Sequence, residues 1–160
     1  MTRNEVHGRS TLRERSAVLG RVVDELNSRR DGVLPMQLPG VTDHFTDELG
    51  LLGALQLRWH TRLAGEIERA LDERPDDLEA AVLTGWRRTA GELPGVRTVL
   101  DAYAEHPLDE KMARALTTAR RKERVLLAAM AGRASAADAG AVRMGRRLEN
   151  AARAATTLAA

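Results

Sequence analysis

The sequence predicts an all-α fold, an antiparallel bundle of five to six helices with one long central helix over about 43–74. Composition is the first reason, since the 160 residues include 26 Ala and 22 Leu but one Ile, one Phe and one Tyr. Helices favour Ala, Leu, Arg and Glu, whereas strands favour β-branched and aromatic residues. Apolar residues also recur at helical spacing. We expect residues 1–9 to be a flexible N-terminus and 10–160 to be a single domain.

The first helix is expected over about 10–29, with Ser10 or Thr11 as its N-cap. Its apolar face would be formed by Leu12, Leu19, Val22, Val23 and Leu26. The segment 32–41 contains Pro35 and Pro39, which exclude a helix there. We interpret this apolar segment as a strap across the end of the bundle. The alternative is an exposed segment that docks a partner.

The central helix is expected to begin after a cap at Thr42 or Asp43 and to stop at Pro75. Its apolar arc is wide, which is typical of a helix with neighbours on several sides. The residues on this arc are Phe45, Leu49, Leu52, Trp59, Leu63, Ile67 and Ala70. We expect Trp59, and Trp86 of the next helix, to fill the core.

Four further segments complete the predicted bundle. Asp76 and Glu79 resemble a capping box, and the helix they begin would bury Leu78, Val82 and Trp86 and end at Leu93. A short helix then follows Pro94-Gly95 and ends before Pro107. The next covers about 108–131, with Leu108, Met112 and Leu116 on its apolar face and Gly132 after it. The last covers about 136–158, and its small residues would let helix axes approach closely.

Composition also narrows the functional class. The chain has no Cys, which excludes disulfides, Cys-ligated metals and Cys nucleophiles. We find neither a secretory signal nor an apolar run that could span a bilayer, so we expect a cytoplasmic protein without a membrane partner. Arg outnumbers Lys by 23 to 2, which indicates a high-GC bacterial genome.

Metal binding is one alternative function. His44 and Glu48 are four residues apart, so they would be neighbours on one helix face, with Glu66 on the same side. Glu123 and His60 are further candidate ligands. A ferritin-like or hemerythrin-like bundle holding a transition metal would use such residues, but the Glu-x-x-His pairs of di-iron bundles do not occur here. Our main expectation is therefore a protein without a cofactor.

Two polar residues fall within predicted apolar faces. Gln56 lies in the middle of the central helix's face, where a buried amide can fix the register between helices. Glu123 lies near the edge of the face that contains Leu116. A buried carboxylate must be paired or protonated, so we expect Glu123 to pair with Arg120 or with an Arg of another helix.

Charge is distributed unevenly along the chain. Residues 41–107 carry seven basic and thirteen acidic side chains, whereas residues 108–160 carry eleven and five. The two regions would complement each other within one molecule or in a homo-oligomer. The basic residues could instead contact nucleic acid, although no aromatic residues interleave with them for base stacking. The candidate surface comprises Arg120, Arg121, Lys122, Arg143, Arg146 and Arg147.

These observations favour a non-enzymatic helical bundle that acts through protein–protein contacts, as a homodimer or an assembly subunit. No catalytic residues are predicted. The metal-binding bundle and a nucleic-acid-associated protein remain the alternatives.

Overall fold

A computed structural model describes residues 3–135 and 137–158 of the chain, and side-chain burial for 10–135 and 137–155. The described part contains seven helices and no strand, which confirms the all-α class. The helices are α1 Arg3–Arg29, α2 Val41–His44, α3 Glu48–Glu73, α4 Leu78–Glu92, α5 Pro94–Glu105, α6 Glu110–Met130 and α7 Ala139–Leu158. The residues outside the described part are 1, 2, 136, 159 and 160. They include the start of the predicted N-terminal segment, the start of the predicted last helix and the end of the predicted domain.

Helix α1 begins earlier than predicted. It starts at Arg3, so part of the expected flexible N-terminus is helical. Ser10 is not an N-cap, because it lies inside the helix and its hydroxyl donates a 2.8 Å hydrogen bond to Glu14 Oε1. Residues 3–9 contain no Pro, so nothing in them prevents the helix from extending N-terminally beyond Ser10.

The central helix is shorter than predicted, because the span 43–74 is interrupted. Phe45 has an extended backbone and ends the one-turn helix α2. Asp47 then caps α3, with its Oδ1 accepting a 2.8 Å hydrogen bond from the Gly50 amide. The cap predicted at Thr42 or Asp43 was therefore wrong. Phe45 is still buried, as its place in the apolar pattern indicated.

Aspartates also begin the later helices, and a glycine ends α6. Asp77, not Asp76, caps α4 by accepting from Ala80, and Asp109 caps α6 by accepting from Met112. Gly132 follows α6 with a positive φ of 67°. This left-handed conformation strongly favours glycine and allows the chain to leave the helix.

Consecutive helices pack as hairpins, α3 against α4 and α6 against α7, while α1 packs on α5. A glycine lies at each of three close crossings. A Cβ added at Gly85 would come 2.7 Å from Ile67, at Gly95 1.9 Å from the Leu26 carbonyl, and at Gly145 1.9 Å from the Arg124 carbonyl. The prediction that small residues bring the last helix close to a neighbour agrees with the position of Gly145.

The core lies around α3 and includes both tryptophans, with Trp59 fully buried and Trp86 nearly so. Three leucines assigned to apolar faces are instead exposed: Leu12, Leu78 and Leu108. Leu12 lies in the exposed N-terminal part of α1, Leu78 is the first residue of α4, and Leu108 lies just before α6. At these positions no neighbouring described helix covers the side chain. The strap 32–41 buries Leu34 and Val41, and Gly32 lies against Ala102 of α5.

None of the described helices combines the length and apolar character needed to cross a membrane.

Candidate functional site

Seven charged side chains of α5, α6 and α7 meet between these helices and form the most unusual polar feature of the described residues. We call them the interhelical ion-pair network. It contains four guanidinium groups and three carboxylates. Each ion pair either joins two of these three helices or joins residues one turn apart on the same helix. Its members are Arg97, Asp101, Arg120, Glu123, Arg124, Glu149 and Arg153.

Glu123 faces inward, as predicted, and its partner is an Arg of another helix. Arg97 Nη1 lies 3.3 Å from Glu123 Oε2, and both residues are buried. Trp86 Nε1 donates a 3.3 Å hydrogen bond to the other carboxylate oxygen. The predicted alternative partner, Arg120, contacts Asp101 instead. Glu123 is therefore paired within the chain, which offsets part of the cost of burying its charge.

Asp101 and Glu149 connect the network across α5 and α7 through Arg153. Arg153 donates to Asp101 Oδ2 at 2.8 Å and to Glu149 Oε1 at 2.8 Å. Burial acts to raise the pKa of Asp101, but the charge of Arg97 and the hydrogen bonds from Arg153 outweigh it, so the pKa falls below its ordinary value. Burial is likewise outweighed at Glu149, whose pKa is lowered by hydrogen bonds from Arg153 and Arg124. Both carboxylates therefore remain ionised at neutral pH.

The two tryptophans extend the network into the core. Their rings meet edge to face, with centroids 5.8 Å apart. Arg97 lies over the ring of Trp59 at 4.7 Å, and Arg153 lies over the ring of Trp86 at 5.0 Å. Desolvated cation–π contacts of this kind stabilise buried guanidinium groups. The prediction that Trp59 and Trp86 fill the core is confirmed, but their contacts with Arg were not predicted.

The candidate metal ligands do not converge. Glu66 is buried and pairs with Arg62 at 2.9 Å and with Arg69 at 3.2 Å. Glu123 belongs to the network, while His44 is the last residue of α2 and Glu48 is the first residue of α3, so the two are not neighbours on one helix face. Among the residues that the structure describes, no three His, Asp or Glu side chains are grouped so that they could hold a metal ion.

The predicted basic surface is divided in the structure. Arg120 belongs to the network, while Arg121 and Lys122 line two different grooves on either side of α6. Arg143, Arg146 and Arg147 are exposed on α7. These six cations therefore do not form one continuous stripe along a single helix face.

Gln56 does not point into the middle of the core as predicted. It is half-buried and lines the groove between α3 and α6, and its Nε2 is buried with no hydrogen-bond partner in the described part of the chain. Next to it, the side chain of Leu57 is 67% exposed. The apolar arc of α3 is therefore buried over most of its residues, but Gln56 and Leu57 lie outside the buried part.

Leu57 stands between two apolar grooves. The groove toward α1 has a volume of about 410 Å³ and is also lined by Leu19, Gly50, Gly53 and Ala54. The groove toward α6 has a volume of about 390 Å³ and includes Gly53, Ala115 and Ala119. We call the exposed residues Asp47, Gly50, Gly53, Leu57, Arg58 and Thr61 the outward face of α3.

Gly53 and Gly65 on α3 have no packing neighbour that requires a glycine. A Cβ added at either position would find no atom within 4 Å. A glycine inside a helix costs about 0.5–1 kcal/mol relative to Ala. The close crossings that explain Gly85, Gly95 and Gly145 are thus missing at Gly53 and Gly65.

No protein-family model, no curated protein and no solved structure matches this chain.

Proposed function

We propose that this chain is a cytoplasmic, non-enzymatic helical bundle that acts through protein–protein contacts, and that its partner on the outward face of α3 is a second copy. The observation that carries the proposal is the exposed Leu57 between two apolar grooves, beside Gly53, a glycine that no close contact among the described residues explains. An exposed apolar ridge of this kind is typical of an interface.

A second copy fits this face in an antiparallel arrangement about a twofold axis at Gly53. In a twofold interface the same residues serve both partners. Leu57 follows Gly53 by four residues and Gly50 precedes it by three, so Leu57 of one copy would lie nearly level with Gly50 of the other. The missing side chains at Gly50 and Gly53 leave room for the leucine and for close approach of the helices.

Charge supports the same arrangement. Arg58 follows Gly53 by five residues and Asp47 precedes it by six, so each Arg58 would lie nearly level with the Asp47 of the other copy. Both side chains are exposed, and eleven residues, or about three helical turns, separate them, so they share one edge of the face. Arg58 has no ion pair with any described residue. The twofold arrangement would give each Arg58 one ion pair, and the dimer two reciprocal ion pairs.

The apolar surface continues onto α1. Leu19 lines the groove beside Leu57, and Leu12 lies seven residues earlier on the same face of α1 with 66% of its surface exposed. Residues 10–17 are all exposed. A second copy seated on α3 would cover this side of α1 and remove Leu12 from water.

Sedimentation equilibrium over a concentration series tests the proposal. The natural chain should form a dimer, and Leu57→Asp should be a monomer because the charge cannot be buried in the interface. Leu108→Asp is the matched control, since Leu108 is 62% exposed but lines neither of the two grooves beside Leu57; it should remain a dimer. Circular dichroism should show equal helicity for all three proteins. A monomeric natural chain, or a dimer that survives Leu57→Asp, would contradict the proposal.

The reciprocal ion pair can be tested by a double-mutant cycle. Asp47→Asn keeps a side-chain oxygen for the helix cap but removes the charge, and Arg58→Gln removes the partner. Each change should weaken the dimer by about twofold to thirtyfold, given two rim ion pairs worth roughly 0.2–1 kcal/mol each. The double variant should be no weaker than the weaker single variant. Additive effects would show that Asp47 and Arg58 do not contact each other across the interface.

A further inference from the structure

A third groove, separate from the outward face of α3, lies between α5, α6 and α7. It has a volume of about 360 Å³, and arginines form much of its wall. Ala104, Leu116 and Val142 provide an apolar part of the lining, and Thr117 adds a hydroxyl group. The arginines are Arg120, Arg121 and Arg124. They lie on one side of α6 together with Thr117, because their spacing follows the helical repeat.

These guanidinium groups have spare hydrogen-bond donors. Arg120 makes a single long contact of 3.4 Å with Asp101 Oδ1, an oxygen that already accepts from Arg97 at 2.8 Å and from Arg153 at 3.1 Å. Arg124 uses only its Nε, toward Glu149. Arg121 makes one long contact of 3.4 Å with the Ala137 carbonyl. An Arg carries five N–H donors, so most donors at this groove have no protein acceptor among the described residues.

The groove also has an excess of positive charge. The interhelical ion-pair network contains four guanidinium groups but three carboxylates, and the carboxylates nearest the groove, Asp101 and Glu149, are each shared by more than one Arg. Arg121 adds a further cation. The four arginines of the network and Arg121, set against three carboxylates, therefore carry a net charge of +2.

We propose that this groove binds a small organic phosphate monoester. A phosphate dianion would balance this net charge of +2. Its oxygens suit the planar fork of Arg and the hydroxyl of Thr117. The groove is larger than a phosphate group alone and lies at the lower end of the size range of small-molecule sites. Leu116 and Val142 would contact the carbon part of the ester.

Isothermal titration with phenyl phosphate, inorganic phosphate and phenyl sulfate tests the proposal. Phenyl phosphate should bind with one site per chain, and at least tenfold tighter than either of the other two compounds, because only it combines two charges with an apolar group. Its affinity should fall as the pH decreases through about 6, where the dianion gains a proton. No saturable binding, or equal affinity for phenyl phosphate and inorganic phosphate, would overturn the proposal.

Two variants locate the binding. Arg121→Gln should weaken phenyl phosphate binding about tenfold or more without disturbing the network, to which Arg121 does not belong. Arg147→Gln is the matched control, because Arg147 is an exposed Arg on α7 that is not part of the groove wall; it should leave the affinity unchanged.

A DNA duplex provides the last arm of the test. One outcome would overturn the proposal: the chain binds the duplex in a salt-sensitive way but does not bind phenyl phosphate, and both variants weaken duplex binding equally. That result would assign the basic side chains to nucleic acid. The outcome is independent of the dimer, since the groove shares no residue with the outward face of α3.

Discussion

Two regions of the molecule differ in how many of their side chains find partners within the chain. One is the side formed by α5, α6 and α7, and the other is the outward face of α3. On the first side, seven charged residues pair across three helices, and two tryptophans cover two of the arginines. On the second, Leu57 is exposed and Gly53 has open space around it. The first arrangement explains how the helices are held together. The second leaves Leu57 uncovered by the described residues, and it is the surface that a second copy would cover.

Breaking the network at its most buried pair should have the largest effect on stability. Arg97→Met would leave Glu123 buried without its cation, at a cost of roughly 3–5 kcal/mol in the free energy of unfolding. Glu123→Gln in the same chain removes the unpaired charge and keeps an acceptor for Trp86, so the double variant should recover most of the loss. Urea denaturation measures both values. A single variant as stable as the natural chain would show that this pair does not hold α5 to α6.

A methyl group at a close crossing should have the next largest effect. Gly145→Ala would place a Cβ against the Arg124 carbonyl, and separation of α6 from α7 should cost about 1–3 kcal/mol. The matched control is Gly65→Ala, also within a helix but with open space around it. That change should stabilise the protein by about 0.5–1 kcal/mol. Thermal unfolding should therefore give shifts of opposite sign, and shifts of the same sign would disprove the assignment of Gly145 to a crossing.

Acid should weaken the first side of the molecule. Because the pKa values of Asp101 and Glu149 are lowered in the folded state, their contribution is fully present above the unfolded-state pKa of about 4 and is lost as the pH falls below it. Denaturation midpoints should therefore decline below pH about 4. Glu149→Gln should lower the midpoint at neutral pH and flatten this decline. Glu110→Gln, which removes an exposed carboxylate on α6, should alter neither, and an equal change in both variants would argue against the network.

The all-α class and most helix positions could be predicted because they depend on local composition and periodicity. The break between α2 and α3 could not, since it depends on a side-chain cap at Asp47 and on the burial of Phe45 in an extended conformation. Either Asp43 or Asp47 can cap a helix, and only packing decides between them. Tertiary contacts commonly override such local preferences.

The site was predicted in part. The position of Glu123 in an apolar face indicated a buried ion pair, and the pair exists, but its partner depends on which helices are neighbours. Arg97, Asp101, Glu149 and Arg153 were missed, because their spacing does not distinguish them from exposed charges on a helix surface. A signal was present in Arg97 and Asp101, which are four residues apart on α5. Leu57 was not among the residues assigned to the apolar arc of α3, and its exposure depends on which side of α3 the neighbouring helices cover.

Cysteine cross-linking at the proposed twofold axis tests the central claim most directly, because the natural chain has no Cys. Gly53→Cys should form an intermolecular disulfide rapidly and in high yield under mild oxidation, since residues at a twofold helix crossing can approach within disulfide range. Gly91→Cys, at a helical glycine that also has open space, is the control and should cross-link only slowly. Comparable yields at the two positions, or no disulfide at Gly53→Cys, would contradict the claim that a second copy binds the outward face of α3.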